Sequence, residues 1–196
     1  MRVLVACEYS GRVREAFRKR GHDAWSCDLL ESEDGSPFHF QMDVLELLEG
    51  SELPGIKGWV RYPWDLIIAH PPCTDLAVSG ARHFAEKIAD GRQEKALGFV
   101  RDLMNAPALQ ICIENPISVI SSKIRKPDQI IQPWQFGHGE TKATCLWLKG
   151  LPKLIPTDIV EGREAKVHKM APGPNRWKDR SRTYQGIADA MAKQWG

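Results

Sequence analysis

Cys73 closes the triplet Pro71-Pro72-Cys73 just after the apolar run Leu66-Ile67-Ile68-Ala69, and Glu114-Asn115-Pro116 ends a second run, Leu109 to Ile113. A short buried strand that stops at a Pro-rich turn projects the next side chains from the carboxyl edge of a sheet, where α/β proteins place ligand sites. Cysteine is the best side-chain nucleophile near neutral pH, and a carboxylic acid facing it can supply or hold a proton on the substrate. Attack on a pyrimidine ring needs that pair. Carbon 6 of cytosine is a poor electrophile until N3 is protonated or hydrogen-bonded, after which thiolate addition turns carbon 5 into a nucleophile. The chemistry requires Cys73 at a loop or helix start, where local dipoles lower its pKa. It also requires Glu114 to stay protonated, or to share a proton, in a dry pocket. Asn115 can orient Glu114, and Pro116 stiffens the turn. The alternative for Cys73 is a buried structural thiol, while a carboxylate closing an apolar run is costly unless solvated or used. His70 either modulates the thiol or stays neutral and structural.

The elements that must hold these residues alternate. Val3 to Ala6 reads as a strand, followed by the turn Cys7-Glu8-Tyr9-Ser10-Gly11, and Val13, Ala16 and Phe17 recur at helical spacing until Gly21. Ala24 to Asp28 is the next strand, giving a β-α-β unit expected to be parallel and right-handed. Asp34-Gly35 signals a turn, and Asp43 to Leu48 a short helix before Pro54. Asp65 to Ala69 is a strand, Glu94 to Met104 places Leu97, Val100, Leu103 and Met104 on one helical face, and Leu109 to Ile113 is a further strand. This alternation predicts an α/β fold with a doubly wound, mostly parallel sheet. Thr144 to Leu148 reads as one strand between loops. Pro152, Pro156, Pro172 and Pro174 make residues 150–181 an extended loop or small lobe, and Tyr184 to Trp195 a helix with Ile187, Ala190 and Met191 facing inward. The expected division is a catalytic and cofactor-binding domain over 1–149, a loop-rich segment over 150–181 and a C-terminal helix over 182–196 that packs back on the domain.

A strand, a Gly-containing turn and a helix present unpaired amides to a ligand, and an acid ending the second strand can hold ribose hydroxyls. Gly11 and Asp28 fit those roles. The three-glycine dinucleotide fingerprint is absent, so a nucleoside without a pyrophosphate fits better. The plainer alternative is a turn with Ser10 as N-cap and a solvated Asp28.

Composition sets the outer limits. At 196 residues, 42% hydrophobic and 27% charged, the chain reads as one globular domain and neither a disordered nor a fibrous protein. A net charge of +2 neither demands nor excludes a nucleic-acid partner. The five cysteines at 7, 27, 73, 112 and 145 show no CxxC spacing, against both a disulfide framework and a zinc ribbon, and no metal is expected. Cys112 lies in an apolar run and reads as core. Glu8 comes too early for a signal peptide, and no apolar stretch approaches the roughly 18 residues of a membrane span. A soluble, cytoplasmic protein, monomeric by default, is the expectation.

On these motifs the chain resembles the cytosine-5 DNA methyltransferases, especially the small versions carried by bacteriophages and prophages, from Val3 to Trp195. The family's opening cofactor motif matches Ala6 to Gly11, which implies cofactor contacts at Cys7, Glu8, Tyr9, Ser10 and Gly11. Its acidic ribose ligand matches Asp28, its adenine-contacting aspartate Asp43, and its Pro-Cys loop Pro72-Cys73, with Pro71 beside the cofactor. Its Glu-Asn dipeptide matches Glu114-Asn115, and its last motif Thr183 to Ala188. The resemblance implies a Rossmann-like sheet with a small irregular C-terminal lobe, S-adenosylmethionine as cofactor and a flipped cytosine in DNA as substrate. The family's pair of arginines spaced by one residue is missing after Gln132, and Lys142 and Thr144 are the nearest polar candidates. Its long recognition domain is reduced here to Gly150 through Arg180. Arg163, Lys166, Lys169, Arg176, Lys178, Arg180 and Arg182, interleaved with His168 and Trp177, suit a DNA backbone, or else form a solvated polar loop. Two other readings stay open: a pyrimidine C5-modifying enzyme that moves another group or acts on a free nucleotide, and a catalytically weak DNA-binding regulator. An amino-group methyltransferase is disfavoured, since that chemistry typically places Asp or Asn before the prolines and an aromatic residue after them.

Overall fold

Val3-Leu4-Val5-Ala6 is apolar on both faces, the signature of a strand covered by helices above and below, and β1 (Arg2–Ala6) is an interior strand of the sheet with Val3 to Ala6 buried. The computed structural model describes residues 1–52, 59–60, 63–174 and 176–196. After β1 come α1 (Arg12–Arg18), β2 (Asp23–Asp28), β3 (His39–Gln41), α2 (Val44–Glu49) and an antiparallel ribbon of β4 (Ser51–Glu52) and β5 (Trp59–Val60). Next are β6 (Leu66–Ala69), α3 (Phe84–Ala89), α4 (Arg92–Met104), β7 (Gln110–Pro116) and α5 (Ile120–Lys123). β8 (Gln129–Ile131), β9 (Thr144–Lys149), α6 (Lys166–Lys169), α7 (Arg176–Ser181) and α8 (Gln185–Trp195) complete the chain.

The main sheet has seven strands in the order β3-β2-β1-β6-β7-β9-β8. Neighbours from β3 to β7 pair in parallel, while β9 runs antiparallel to both β7 and β8. Side chains alternate across each strand, and two cores result. Leu4, Ile67, Ile111 and Ile113 meet α4 through Leu97, Val100 and Leu103 on one face. Val3, Val5, Leu66, Ile68 and Cys112 meet α1 and α8 through Phe17, Ile187, Met191 and Trp195 on the other. The doubly wound α/β sheet expected from the alternation is thus the observed one, and Cys112 is a core thiol. Gly186 lets α8 start hard against the Phe136 carbonyl, and its amide donates to His138 Nε2 at 3.1 Å.

The ribbon strands β4 and β5 escape the sequence pattern, and so do two strands of the main sheet. β3 and β8 are the edges of the sheet and have three residues each, and a short edge strand needs no apolar run because it is paired on one side only. Pro54, expected to follow the helix that is now α2, lies outside the described residues. Among the described residues no helix is long and apolar enough to cross a membrane, and no cluster of His, Cys, Asp and Glu could hold a metal ion.

Candidate functional site

Strand order reverses between β1 and β6, so the turns that leave their carboxyl ends diverge and open a crevice. The register then decides what faces what. Ala69 pairs with Ile113, so the residues that follow, His70 and Glu114, emerge side by side. His70 Nδ1 is hydrogen-bonded to Glu114 Oε2 at 3.0 Å, and the two side chains are only 9% and 15% exposed. Burial alone would push Glu114 upward, but the His70 hydrogen bond and the charges of His70 and Lys142 outweigh it and hold the carboxyl below its ordinary range. For His70, burial opposes the charged ring, and the Glu114 hydrogen bond with the charges of Glu114 and Glu8 raises it above its ordinary value. The sequence leads one to expect a Glu114 that stays protonated or shares a proton. The strand pairing sets His70 against it, and that partner lowers the carboxyl while Glu114 in turn raises the imidazole.

Asn115 points elsewhere than expected: its Nδ2 donates to the Pro71 carbonyl at 2.8 Å, inside the protein. It therefore fixes the turn that carries Cys73 rather than Glu114. That turn is strapped on several sides. The Cys73 carbonyl accepts from the amides of Leu76 (3.1 Å) and Ala77 (2.8 Å), Val78 N donates to Ile117 O at 3.0 Å, and Val119 N to Leu76 O at 3.0 Å. Lys87 of α3, a buried lysine, donates to the Thr74 carbonyl and pairs with Asp75 at 3.4 Å, while Gln93 of α4 donates to the Asp75 carbonyl at 3.3 Å. Lys87 and Gln93 carry no sequence signal, since a lysine and a glutamine on polar helices read as solvated.

Cys73 is exposed, whereas Cys27, Cys112 and Cys145 are buried. Desolvation of its sulphur and the Glu114 charge raise its pKa, and Lys142 and Arg180 work in the opposite direction. The lowering by local dipoles expected of a loop nucleophile is outweighed in the free protein. Burial raises the other thiols as well, Cys27 to about 12 and Cys145 to about 11.

On the other wall of the crevice, Gly11 at φ 68 starts α1 in the left-handed conformation that glycine tolerates. The helix cap is Glu8 and not Ser10: Glu8 Oε1 accepts from Val13 N at 2.7 Å, Oε2 from Arg14 N at 3.2 Å, and Ser10 Oγ donates to Oε1 at 3.4 Å. An internal carboxylate thus occupies the amides that a phosphate would need. Burial pushes Glu8 upward, against the two amides and the charges of His70 and Arg14. Glu8→Ala is expected to destabilise the fold by about 1–3 kcal/mol, because buried helix amides lose their acceptors; equilibrium denaturant unfolding checks it.

Cys7 is, among the described residues, the non-glycine with positive φ (57). Its thiol is pushed up by burial and by Asp28, Cys27 and Asp43, which places these groups near one another. Asp28 Oδ1 accepts from Leu30 N at 2.9 Å and burial raises it, while Asp43 Oδ1 caps α2 by accepting from Leu45 N at 2.9 Å. The donor set fits an uncharged nucleoside: carboxylate acceptors for hydroxyl and amino groups, and helix amides already filled.

No family model and no curated protein matches the chain. A solved structure does, with a TM-score of 0.54 and 16% identity, over 82% of this chain and 52% of that one: a proposed DNA modification methyltransferase encoded within a prophage, from E. coli. The chain spans about half the length of that protein. The fold is Rossmann-like and is shared with that protein.

In this fold the segment after β9 returns over the crevice. Tyr9, itself buried, donates its hydroxyl to the Lys178 carbonyl at 2.9 Å, and its ring lies 6.2 Å from that of Trp177, which is 53% exposed. Lys178 Nζ lies 5.8 Å from the Tyr9 ring and 5.6 Å from the Trp177 ring. Lys142 Nζ donates to the Arg180 carbonyl at 2.8 Å, so Lys142 and Arg180 stand together and both act on Cys73. The remaining basic candidates are differently engaged. Arg182 Nε donates to Glu33 at 3.0 Å and the same guanidinium pairs with Asp179; Arg176 Nε donates to Met170 O at 3.0 Å. Thr144 is buried in β9, its hydroxyl donating to Lys142 O at 3.0 Å, because its position opposite Pro116 lies inside the sheet.

Proposed function

We propose that the chain is an S-adenosylmethionine-dependent methyltransferase that modifies carbon 5 of cytosine in DNA. What carries this reading is the convergence on Cys73, an exposed thiol at the end of a strapped turn, of the Glu114–His70 pair and of the cations Lys142 and Arg180. The shared fold and the description of the structural neighbour support it.

Asp28 would hold the ribose and Asp43 the adenine, with Cys7 to Gly11 and Pro71 lining the space between. When bound, S-adenosylmethionine supplies an electrophilic methyl group. The chain's own residues do the rest. Lys142 and Arg180 favour the thiolate of Cys73, which adds to carbon 6 as the C5=C6 electron pair moves to carbon 5 and Glu114 steadies a proton at N3. Loss of the C5 proton to solvent later restores the C5=C6 double bond and expels the Cys73 sulphur as thiolate, and N3 returns its proton to Glu114. Asn115 and Lys87 keep the turn in place. Residues 150–181 would meet the DNA backbone through Lys178, Arg180 and neighbouring cations, with α8 closing the domain formed by residues 1–149.

One observation favours a second reading. Arg176 and Arg182 are engaged by partners within the protein and Thr144 is buried, so three of the DNA-contact candidates are already committed. The same covalent chemistry on a free pyrimidine nucleotide needs fewer such contacts. Incubation with S-adenosylmethionine and either 5-fluorocytosine duplex DNA or the free fluorinated nucleotide separates the two, because fluorine at carbon 5 cannot leave as a proton does and traps the adduct. A mass increase on the peptide holding Cys73 with DNA supports the first reading, and one with the nucleotide alone supports the second. No adduct with either sinks both. Asp28→Ala is expected to weaken binding of S-adenosylmethionine by about 10-fold, as the loss of one charge-assisted hydrogen bond would; titration calorimetry reads it.

A further inference from the structure

The proposed chemistry uses Glu114 but leaves its partner unexplained. His70 is buried at the mouth of the crevice, hydrogen-bonded through Nδ1 to Glu114, and its Nε2 is a buried nitrogen with no hydrogen-bond partner among the described residues. The groups acting on it come from every neighbouring element: Glu114 on β7, Glu8 from the turn after β1, Asp28 at the end of β2, and Lys142 from the loop before β9. A ring buried for packing alone would not be set among three carboxylates with one nitrogen left open.

We propose that His70 is the positioning residue that holds the proton Glu114 delivers to the base. The inference rests on the pyrimidine reading above. In the free protein the proton sits on His70 Nδ1 and Glu114 is ionised. As a base enters and excludes water, the proton moves from Nδ1 to Glu114, leaving a neutral imidazole and a neutral acid, which removes two opposed charges from a drying pocket. Glu114 then gives that proton to N3 while the Cys73 sulphur bonds to carbon 6. The electron pair of C5=C6 goes to carbon 5, and the net transfer is one proton from His70 to the ring. The thiol's own proton leaves to solvent when the thiolate forms, and His70 regains its proton from Glu114 once N3 has returned it. His70 therefore keeps Glu114 from being a permanently neutral acid, and the crevice is ionised until it is filled.

Two variants test this. His70→Asn preserves a donor near the place of Nδ1 but cannot carry the proton; His70→Phe removes both. Adduct formation with 5-fluorocytosine DNA, followed against pH, is expected to fall roughly 100-fold at neutral pH in His70→Asn, the lower end of the range for general acid catalysis. The loss should be partly recovered at acid pH, where Glu114 takes its proton from solvent, and His70→Phe should be slower still. An independent readout needs no turnover: the imidazole nitrogens of His70, observed by NMR, should titrate at lower pH in Glu114→Gln than in the unaltered protein. An adduct in the unaltered protein with an unchanged pH profile in His70→Asn overturns the inference alone. An unmoved His70 titration in Glu114→Gln overturns it whatever the activity. Absence of any adduct in the unaltered protein, with the His70 titration still coupled to Glu114, overturns the pyrimidine reading and with it the delivery of the proton to a base.

Discussion

Replacing Cys73 with Ser is expected to abolish the covalent adduct and to lower nucleoside modification by at least about 10³-fold, the scale seen when a covalent nucleophile is removed. A serine hydroxyl at the same site is far less nucleophilic, and Glu114, the carboxylate acting on that site, is committed to His70. Stability should change little, because Cys73 is exposed and its packing contribution is small. The measurement is mass spectrometry of nucleosides from DNA of cells expressing each protein, with thermal unfolding as control. Retained modification by Cys73→Ser would remove covalent catalysis altogether. The raised thiol adds a condition: alkylation of Cys73 by iodoacetamide should be slow at neutral pH in the free protein and should accelerate toward alkaline pH.

Glu114→Gln has the second-largest expected effect, a loss of roughly 10²- to 10⁴-fold in rate, and it also changes how stability depends on pH. Glu114 is held below its ordinary value, so its contribution is present above the unfolded carboxylate pKa and is lost as pH falls through the folded one. His70 is raised above 6.5, so its contribution is complete below that value and is lost as pH rises through the folded one. The pair therefore stabilises a window that opens below the ordinary carboxylate range and closes above the ordinary histidine value. Glu114→Gln should flatten that window, at a cost of about 1–3 kcal/mol inside it, since His70 can shed its charge once its partner is neutral. Denaturant unfolding across the window decides, and an unchanged pH profile would mean that the pair is not ionised.

Much of the architecture is legible in the chain because it rests on local pattern. The runs at Val3, Leu66 and Leu109 are buried on both faces, the helix between Glu94 and Met104 has one apolar stripe, and Gly11 breaks the chain where a turn must be. β3 and β8 were not legible, since a three-residue edge strand borrows its pairing from a neighbour and carries no periodicity of its own. The candidate site divides the same way. Cys73 and Glu114 announce themselves as reactive groups ending apolar runs. Glu8, read as a cofactor contact, is tied to the amides of α1, and Asn115, read as the partner of Glu114, is tied to Pro71.

Residue order alone settles which strands and helices form and which reactive side chains stand at their ends, because propensity, apolar period and turn chemistry act within a few neighbouring positions. Sheet register and chain return settle the rest. The pairing of Ala69 with Ile113 sets His70 beside Glu114 across 44 positions of sequence, and the return after β9 brings Lys142 and Arg180 to Cys73. The charge on a buried group depends on what lies within a few ångströms in space. The protonation of Glu114 and the reactivity of Cys73 are therefore properties of the folded chain.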